Sequence, residues 1–128
     1  MTLSQTKEDY LKTIYVLSMT KDVHCSDLAD ALGVSRPTVS VALKKLENAG
    51  YILRGTGHEI LLSEKGRTIA EAVYERHSTF REILEKLGVG AETAAIDACR
   101  LEHAVSQESF QALKRLMDLS GAGQCREI

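Results

Sequence analysis

The stretch that most constrains this chain is residues 26–48, SDLADALGVSRPTVSVALKKLEN. Leu28, Ala29, Ala31 and Leu32 give a short helix one apolar side. Gly33 stops that helix, because glycine takes the left-handed conformation a helix end needs. Ser35 is placed to cap a second helix, with Pro37 in its first turn, where a missing N–H costs nothing. Val39, Leu43 and Leu46 recur at helical spacing and form its buried face. Arg36, Ser40 and Lys44 fall on another face, with Pro37 and Val41 beside them. Two short helices, a tight glycine turn and a basic, hydroxyl-bearing outer face describe a helix-turn-helix whose second helix enters a DNA major groove. The alternative is a helical hairpin in an ordinary bundle.

The residues after the motif favour DNA. Tyr51-Ile52-Leu53-Arg54 and Glu59-Ile60-Leu61-Leu62 are short apolar runs on either side of Gly55-Thr56-Gly57-His58, the pattern of a β-hairpin. A hairpin directly after a recognition helix is the wing of a winged helix. Arg54 and the tip then reach the phosphate backbone or minor groove, contacts that position a protein and carry little sequence information. Ahead of the motif, Thr6-Lys7-Glu8-Asp9 starts a helix with Thr6 as cap and acids in the first turn. Tyr10, Leu11, Ile14 and Leu17 supply its buried side to about Ser18, and Val23-His24-Cys25 is a short extended lead-in.

After the hairpin, Ser63 caps a long helix from Glu64 to Lys86, with Ile69, Val73, Phe80, Ile83, Leu84 and Leu87 as its apolar stripe and Gly88 as its stop. A further helix runs from about Ala91 through Ala104, with Ala95, Ile96, Ala98 and Leu101 apolar. Ser106 caps a last one carrying Phe110, Leu113, Leu116 and Met117. The expected fold is mostly α with a small β wing. A winged helix-turn-helix DNA-binding domain spans 1–62, an all-helical dimerisation domain spans 63–120, and 121–128 form a flexible tail. So much apolar surface in a small helical lobe favours pairing with a second copy, and two recognition helices about one DNA turn apart need a homodimer.

Composition bounds the function. The net charge is −2, no electrostatic footprint for DNA unless charge is segregated. It is: Arg36, Lys44, Lys45 and Arg54 come early, Glu92, Asp97, Glu102 and Glu108 late. No run of apolar residues is long enough to span a membrane, and the N-terminal residues lack the plan of a signal peptide. Cys25, Cys99 and Cys125 are odd in number and form no CxxC pair, so reduced thiols and a cytoplasmic location are expected. No HExxH, GxSxG or glycine-rich phosphate loop is present, which counts against a small metal-dependent hydrolase and against any small-molecule substrate.

A second constellation lies in the late helices. Cys99, Glu102 and His103 stand at i, i+3 and i+4, which stacks a thiolate, a carboxylate and an imidazole on one helix face. All three are ligands of divalent transition ions. The same spacing also arises in helices that hold no metal. Asp9 and His77 are further ligand types with no local explanation.

The order of these elements resembles the diphtheria-toxin-repressor/manganese-transport-regulator (DtxR/MntR) family of metal-dependent repressors. The match is carried by EDYLKTIY at 8–15, SDLA at 26–29, PTVS at 37–40, LSEKG at 62–66, Arg76-His77 and ACRLEH at 98–103. It covers about residues 4–119 and is to the short members that lack an SH3-like domain. The resemblance implies a homodimer that binds a palindromic operator on double-stranded DNA when a divalent metal is bound, and that represses metal-uptake genes. Position by position, it implies Asp9, His77, Cys99, Glu102 and His103 as metal ligands, and Ser35, Pro37, Thr38 and Ser40 as recognition positions. Arg36, Lys44 and Arg54 join them as basic contacts read from the helix and wing.

This chain also departs from the family. Iron-sensing members carry methionine at the position of Asp9, and manganese-sensing members carry a carboxylate at that of Cys99. Lys12 and Arg81 replace acids, and Ala95 replaces a histidine, which weakens a second site; in the alternative reading Lys12 and Arg81 simply neutralise nearby acids, and since both readings lead to fewer ions, one metal site per subunit is expected. A thiolate with carboxylates and imidazoles suits Fe²⁺ over Mn²⁺ by ligand type, and would also take Zn²⁺, Co²⁺ or Ni²⁺ in vitro. The rival functions are a winged-helix regulator that answers a small organic effector or thiol oxidation, and a scaffold that uses its wing for protein contacts.

Overall fold

The computed structural model describes the backbone of residues 4–127 and the side chains of residues 4–119. The first helix, α1 (Gln5–Ser18), is capped by Ser4, whose hydroxyl accepts from the Lys7 N–H. Thr6, the expected cap, lies inside the helix, because Ser4 already offers a hydroxyl to the first turn.

Helix α2 (Cys25–Leu32) begins at an extended His24, whose N–H donates to the Asp27 carboxylate at 2.8 Å. Lys21 donates to the same carboxylate at 2.9 Å. The Lys21 bond first, and the His24 N–H second, hold the Asp27 carboxyl below its usual range. Gly33 ends α2 at φ 68, as its position predicts. Helix α3 (Arg36–Asn48) has Ser35 as cap, accepting from the Thr38 N–H, and proline in its first turn. Strands β1 (Ile52–Arg54) and β2 (Ile60–Leu62) pair antiparallel, with Leu53 opposite Leu61. Val23 adds an isolated bridge to Ile60, so the expected extended stretch lies on the edge of the wing.

The fold divides into two compact units between Tyr74 and Glu75, inside α4 (Glu64–Lys86). In the first unit, Leu11, Ile14, Val23, Leu28, Val39, Leu43, Leu46, Ile52 and Ile60 are all buried in one cluster. Each such side chain contributes roughly 1.5–3 kcal/mol on burial. The start of α4 is tied to the wing's root. Ser63 donates to the Gly50 carbonyl at 2.6 Å and accepts from the Gly66 N–H at 3.1 Å. A Cβ on Gly66 would stand 2.0 Å from the Tyr51 carbonyl oxygen, so only glycine lets α4 approach this closely.

The second unit holds α5 (Ala91–Leu101) and α6 (Gln107–Glu127) with the later turns of α4. Its core is small: Phe80, Ala98 and Phe110 are buried, with Leu101 and Val105 against them. The two phenylalanine rings meet edge to face at 5.7 Å. Several residues expected in the core lie outside it: Leu87 is 76% exposed, Leu116 61% and Ile96 50%. Periodicity reports an apolar stripe and not what covers it. Helix α5 also ends at Leu101, earlier than the expected Ala104. Residues expected in the tail have helical backbone through Glu127, glycines 121 and 123 included; a glycine within a helix costs about 1 kcal/mol and does not break it. Ile128 lies outside the described residues.

Candidate metal centre and nucleic-acid interface

In the second unit the ligand-type side chains gather where α5 ends. Cys99 is in the last turn of α5, and Glu102 is its C-cap at φ −60 and ψ −23. The Ala104 N–H donates to the Leu101 carbonyl, so the chain turns helically for a few more residues after the helix ends. This keeps the expected stacking although His103 lies past the helix. One ligand atom each from Cys99, Glu102 and His103 lie within 4.8 Å of one another.

Glu102 is the centre of the group. It is 2% exposed, the one buried charged residue among the described residues. Its two carboxylate oxygens face different rings: Oε1 lies 3.0 Å from Nδ1 of His77 on α4, and Oε2 lies 3.0 Å from Nε2 of His103. A buried carboxylate is costly unless paired or bound to a metal. Here imidazoles flank it on both sides, and a thiol stands within reach. Soft sulfur, hard oxygen and borderline nitrogen together fit a divalent transition ion.

Arg76 holds this turn in place. Its guanidinium donates to the Glu102 carbonyl at 3.2 Å, to the Val105 carbonyl at 2.6 Å and to Gln107 Oε1 at 2.7 Å, and it lies over the Phe110 ring. Sequence reasoning gave Arg76 no role beyond its place in a motif. Its one sequence signal is adjacency to His77, and its carbonyl partners stand too far along the chain for spacing to reveal them. A second charged link between α4 and α6 joins Lys114 to Glu75, a contact that raises the Lys114 pKa. Arg81 lies 3.7 Å from Glu85 on its own helix, as expected if it simply neutralises an acid.

In the first unit, Asp9 is half-buried on α1, and its carbonyl accepts from Thr13. Ser35, Arg36, Pro37, Thr38, Ser40 and Lys44 are all exposed along α3 and its cap, opposite the buried Val39, Leu43 and Leu46. Ser35 and Thr38 also share a hydroxyl–hydroxyl bond of 2.9 Å, which orients both at the helix start. Arg54 is exposed on β1, and its guanidinium donates to the His58 carbonyl at 3.3 Å.

Comparison with known proteins agrees with both units. The iron dependent repressor N-terminal DNA-binding domain matches residues 2–54, and the iron dependent repressor metal-binding and dimerisation domain matches residues 63–119. An uncharacterised HTH-type transcriptional regulator of Methanocaldococcus jannaschii is 35% identical over 119 residues, 91% of this chain and 95% of that one. The transcriptional regulator MntR of Salmonella typhimurium is 41% identical over 86 residues, 67% of this chain and 55% of that one. Among solved structures, a manganese-dependent transcriptional repressor in complex with manganese superimposes with a TM-score of 0.80 at 30% identity, covering 88% of this chain and 52% of that one. The repressor ScaR with bound Zn²⁺ gives a TM-score of 0.74 at 30% identity, covering 88% of this chain and 53% of that one. The chain thus spans nearly all of the archaeal relative and about half the length of the Salmonella regulator and of these solved chains. With both domains matched in order, the chain belongs to the DtxR/MntR family of iron-dependent repressors, metal-dependent transcriptional regulators rather than enzymes.

Proposed function

We propose that this chain represses metal-uptake genes by binding a palindromic operator as a homodimer when a divalent metal is bound, Fe²⁺ in preference to Mn²⁺. The observation that carries the reading is the buried Glu102 carboxylate between His77 and His103, with the Cys99 thiol beside it. His77, Cys99, Glu102 and His103 would hold the metal; Asp9 joins them on the strength of the family resemblance. A bound metal would supply positive charge to the buried Glu102 carboxylate and the Cys99 sulfur beside it. Iron is favoured by the Cys99 thiolate, since sulfur suits Fe²⁺ better than Mn²⁺, which prefers oxygen donors. The known structures of relatives that contain Mn²⁺ or Zn²⁺ support a divalent ion of this group.

Ser35, Pro37, Thr38 and Ser40 would face base edges, while Arg36, Lys44 and Arg54 would contact phosphates. Leu87, Ile96, Leu116 and Leu119 are exposed apolar side chains that a second copy would cover. Metal and DNA then raise each other's affinity by a coupling of about 1–3 kcal/mol.

The test is a titration of duplex DNA, selected from a random pool, against anaerobic Fe²⁺ and Mn²⁺, with metal stoichiometry measured alongside. Asp9→Ala and His103→Ala are expected to abolish metal-dependent binding while leaving a folded protein. Wild-type DNA affinity in both variants, with and without metal, would defeat the reading.

A further inference from the structure

Residues 55–59, GTGHE, join β1 to β2 at the tip of the wing. Two backbone bonds close this loop: the Gly55 N–H on the Glu59 carbonyl at 2.9 Å, and the His58 N–H on the Gly55 carbonyl at 3.0 Å. His58 takes φ 65, the one non-glycine residue at positive φ among the described residues. Such a conformation persists only where its surroundings over-determine it.

The side chain of Glu59 supplies that constraint. The residue is half-buried, and its carboxylate folds back so that Oε1 accepts the Gly57 N–H at 2.9 Å. The carboxylate fills the place where a side chain at residue 55 would stand: a Cβ on Gly55 would meet the Glu59 carboxyl carbon at 2.3 Å. Gly55 is not at positive φ, so glycine here makes room for a neighbour and does not serve a turn. His58 lies between the two residues that the carboxylate joins, and its carbonyl accepts from the Arg54 guanidinium at 3.3 Å. Fixing the loop therefore fixes the acceptor that holds Arg54.

Charge alone would give Glu59 the opposite part, since an acid in the wing repels DNA phosphates. We propose that the Glu59 carboxylate is a latch that positions Arg54 for the DNA backbone, so that opening it weakens DNA binding even where a negative charge leaves the wing. The inference rests on the DNA contact given to Arg54 above. It adds Glu59 as a positioning residue and Gly55 as the space that residue needs.

Three substitutions separate geometry from charge. Glu59→Gln removes the charge and keeps an oxygen for the Gly57 N–H. Gly55→Ala keeps the charge and drives the carboxylate out; what it displaces is the far end of a flexible side chain, so the strands need not move. Glu59→Ala removes both charge and latch. Affinity of the full chain is measured on a duplex selected by the wild type, at saturating Mn²⁺. Glu59→Gln should bind at least as well as the wild type. Gly55→Ala and Glu59→Ala should bind about three- to tenfold more weakly, because a short loop and an arginine must then be ordered on binding. Amide exchange at Gly57 and His58 in the free protein should speed up in these two variants and not in Glu59→Gln. In an Arg54→Ala background, Glu59→Ala should change affinity by less than about twofold, since the latch acts through that arginine. The Glu59→Gln and Glu59→Ala pair, which adds no bulk to the loop, carries the comparison if Gly55→Ala melts early.

Equal tightening of DNA binding by Glu59→Gln and Glu59→Ala, with Gly55→Ala like the wild type, overturns the latch and leaves the DNA-binding role standing. So does an undiminished effect of Glu59→Ala in the Arg54→Ala background. Wild-type affinity in Arg54→Ala overturns that residue's DNA contact and the latch together. Failure of the wild type to bind any duplex overturns the whole DNA-binding reading.

Discussion

Glu102 shows how much one side chain can carry. Its carboxylate is buried, and each oxygen has an imidazole at 3.0 Å. Glu102→Gln keeps the shape and removes the charge. Metal affinity measured by calorimetry should fall by at least about tenfold, while the metal-free protein stays folded. Arg76 does a different job, since it binds carbonyls of the turn and not the ligand atoms. Hydrogen bonds from a charged group contribute roughly 1.5–3 kcal/mol, so Arg76→Ala should lower stability by about that much in urea denaturation. Lysine should rescue only part of the loss, because an ammonium cannot reach two carbonyls and a side-chain amide with one rigid fork.

The elements hold together through a few short-range devices. Gly66 lets the first turn of α4 lie against the Tyr51 carbonyl, where a Cβ would clash at 2.0 Å. Backbone is on the other side of that clash, so Gly66→Ala should destabilise by about 1–3 kcal/mol, read from thermal or chemical denaturation. It should also loosen the wing, seen as faster amide exchange in β1 and β2. At the start of α2, Asp27 ties Lys21 to the His24 N–H. Its folded pKa is lowered, chiefly by Lys21, so the stability it contributes is present at neutral pH. That contribution is lost as pH falls through the carboxylate range, below about 4. In Asp27→Asn this part of the acid dependence should vanish, which a pH series of denaturation midpoints would show.

Across the whole molecule, the first unit has an ample core and the second does not. Ten or so large side chains are buried together around the helix-turn-helix. Around Phe80 and Phe110 the buried cluster is much smaller, while Leu87, Leu116 and Leu119 face outwards. Leu116→Glu should therefore shift sedimentation towards monomer and weaken operator binding, while leaving the first unit's helices intact by amide exchange. A ligand that binds the folded state alone stabilises it by mass action, about 2.7 kcal/mol at one hundred times its Kd. The melting temperature should then rise with Mn²⁺ or Fe²⁺ concentration, and Cys99→Ala should flatten that rise.

The amino-acid sequence determined the local parts of this protein. Gly33, Ser35 and Pro37 specify the helix-turn-helix because turns and caps depend on a few neighbouring residues. The wing, the span of α4 and the grouping of Cys99, Glu102 and His103 were legible for the same reason: each depends on spacing within one stretch. Tertiary structure decided the rest. Only the fold brings His77 to Glu102, Arg76 to the carbonyls of a distant turn, and Gly66 against Tyr51. Only the fold separates apolar residues that are buried from those left outside, such as Leu87 and Leu116. The helical period puts a side chain on a face, but what that face meets depends on contacts between residues far apart in the chain, and those leave no periodic signature.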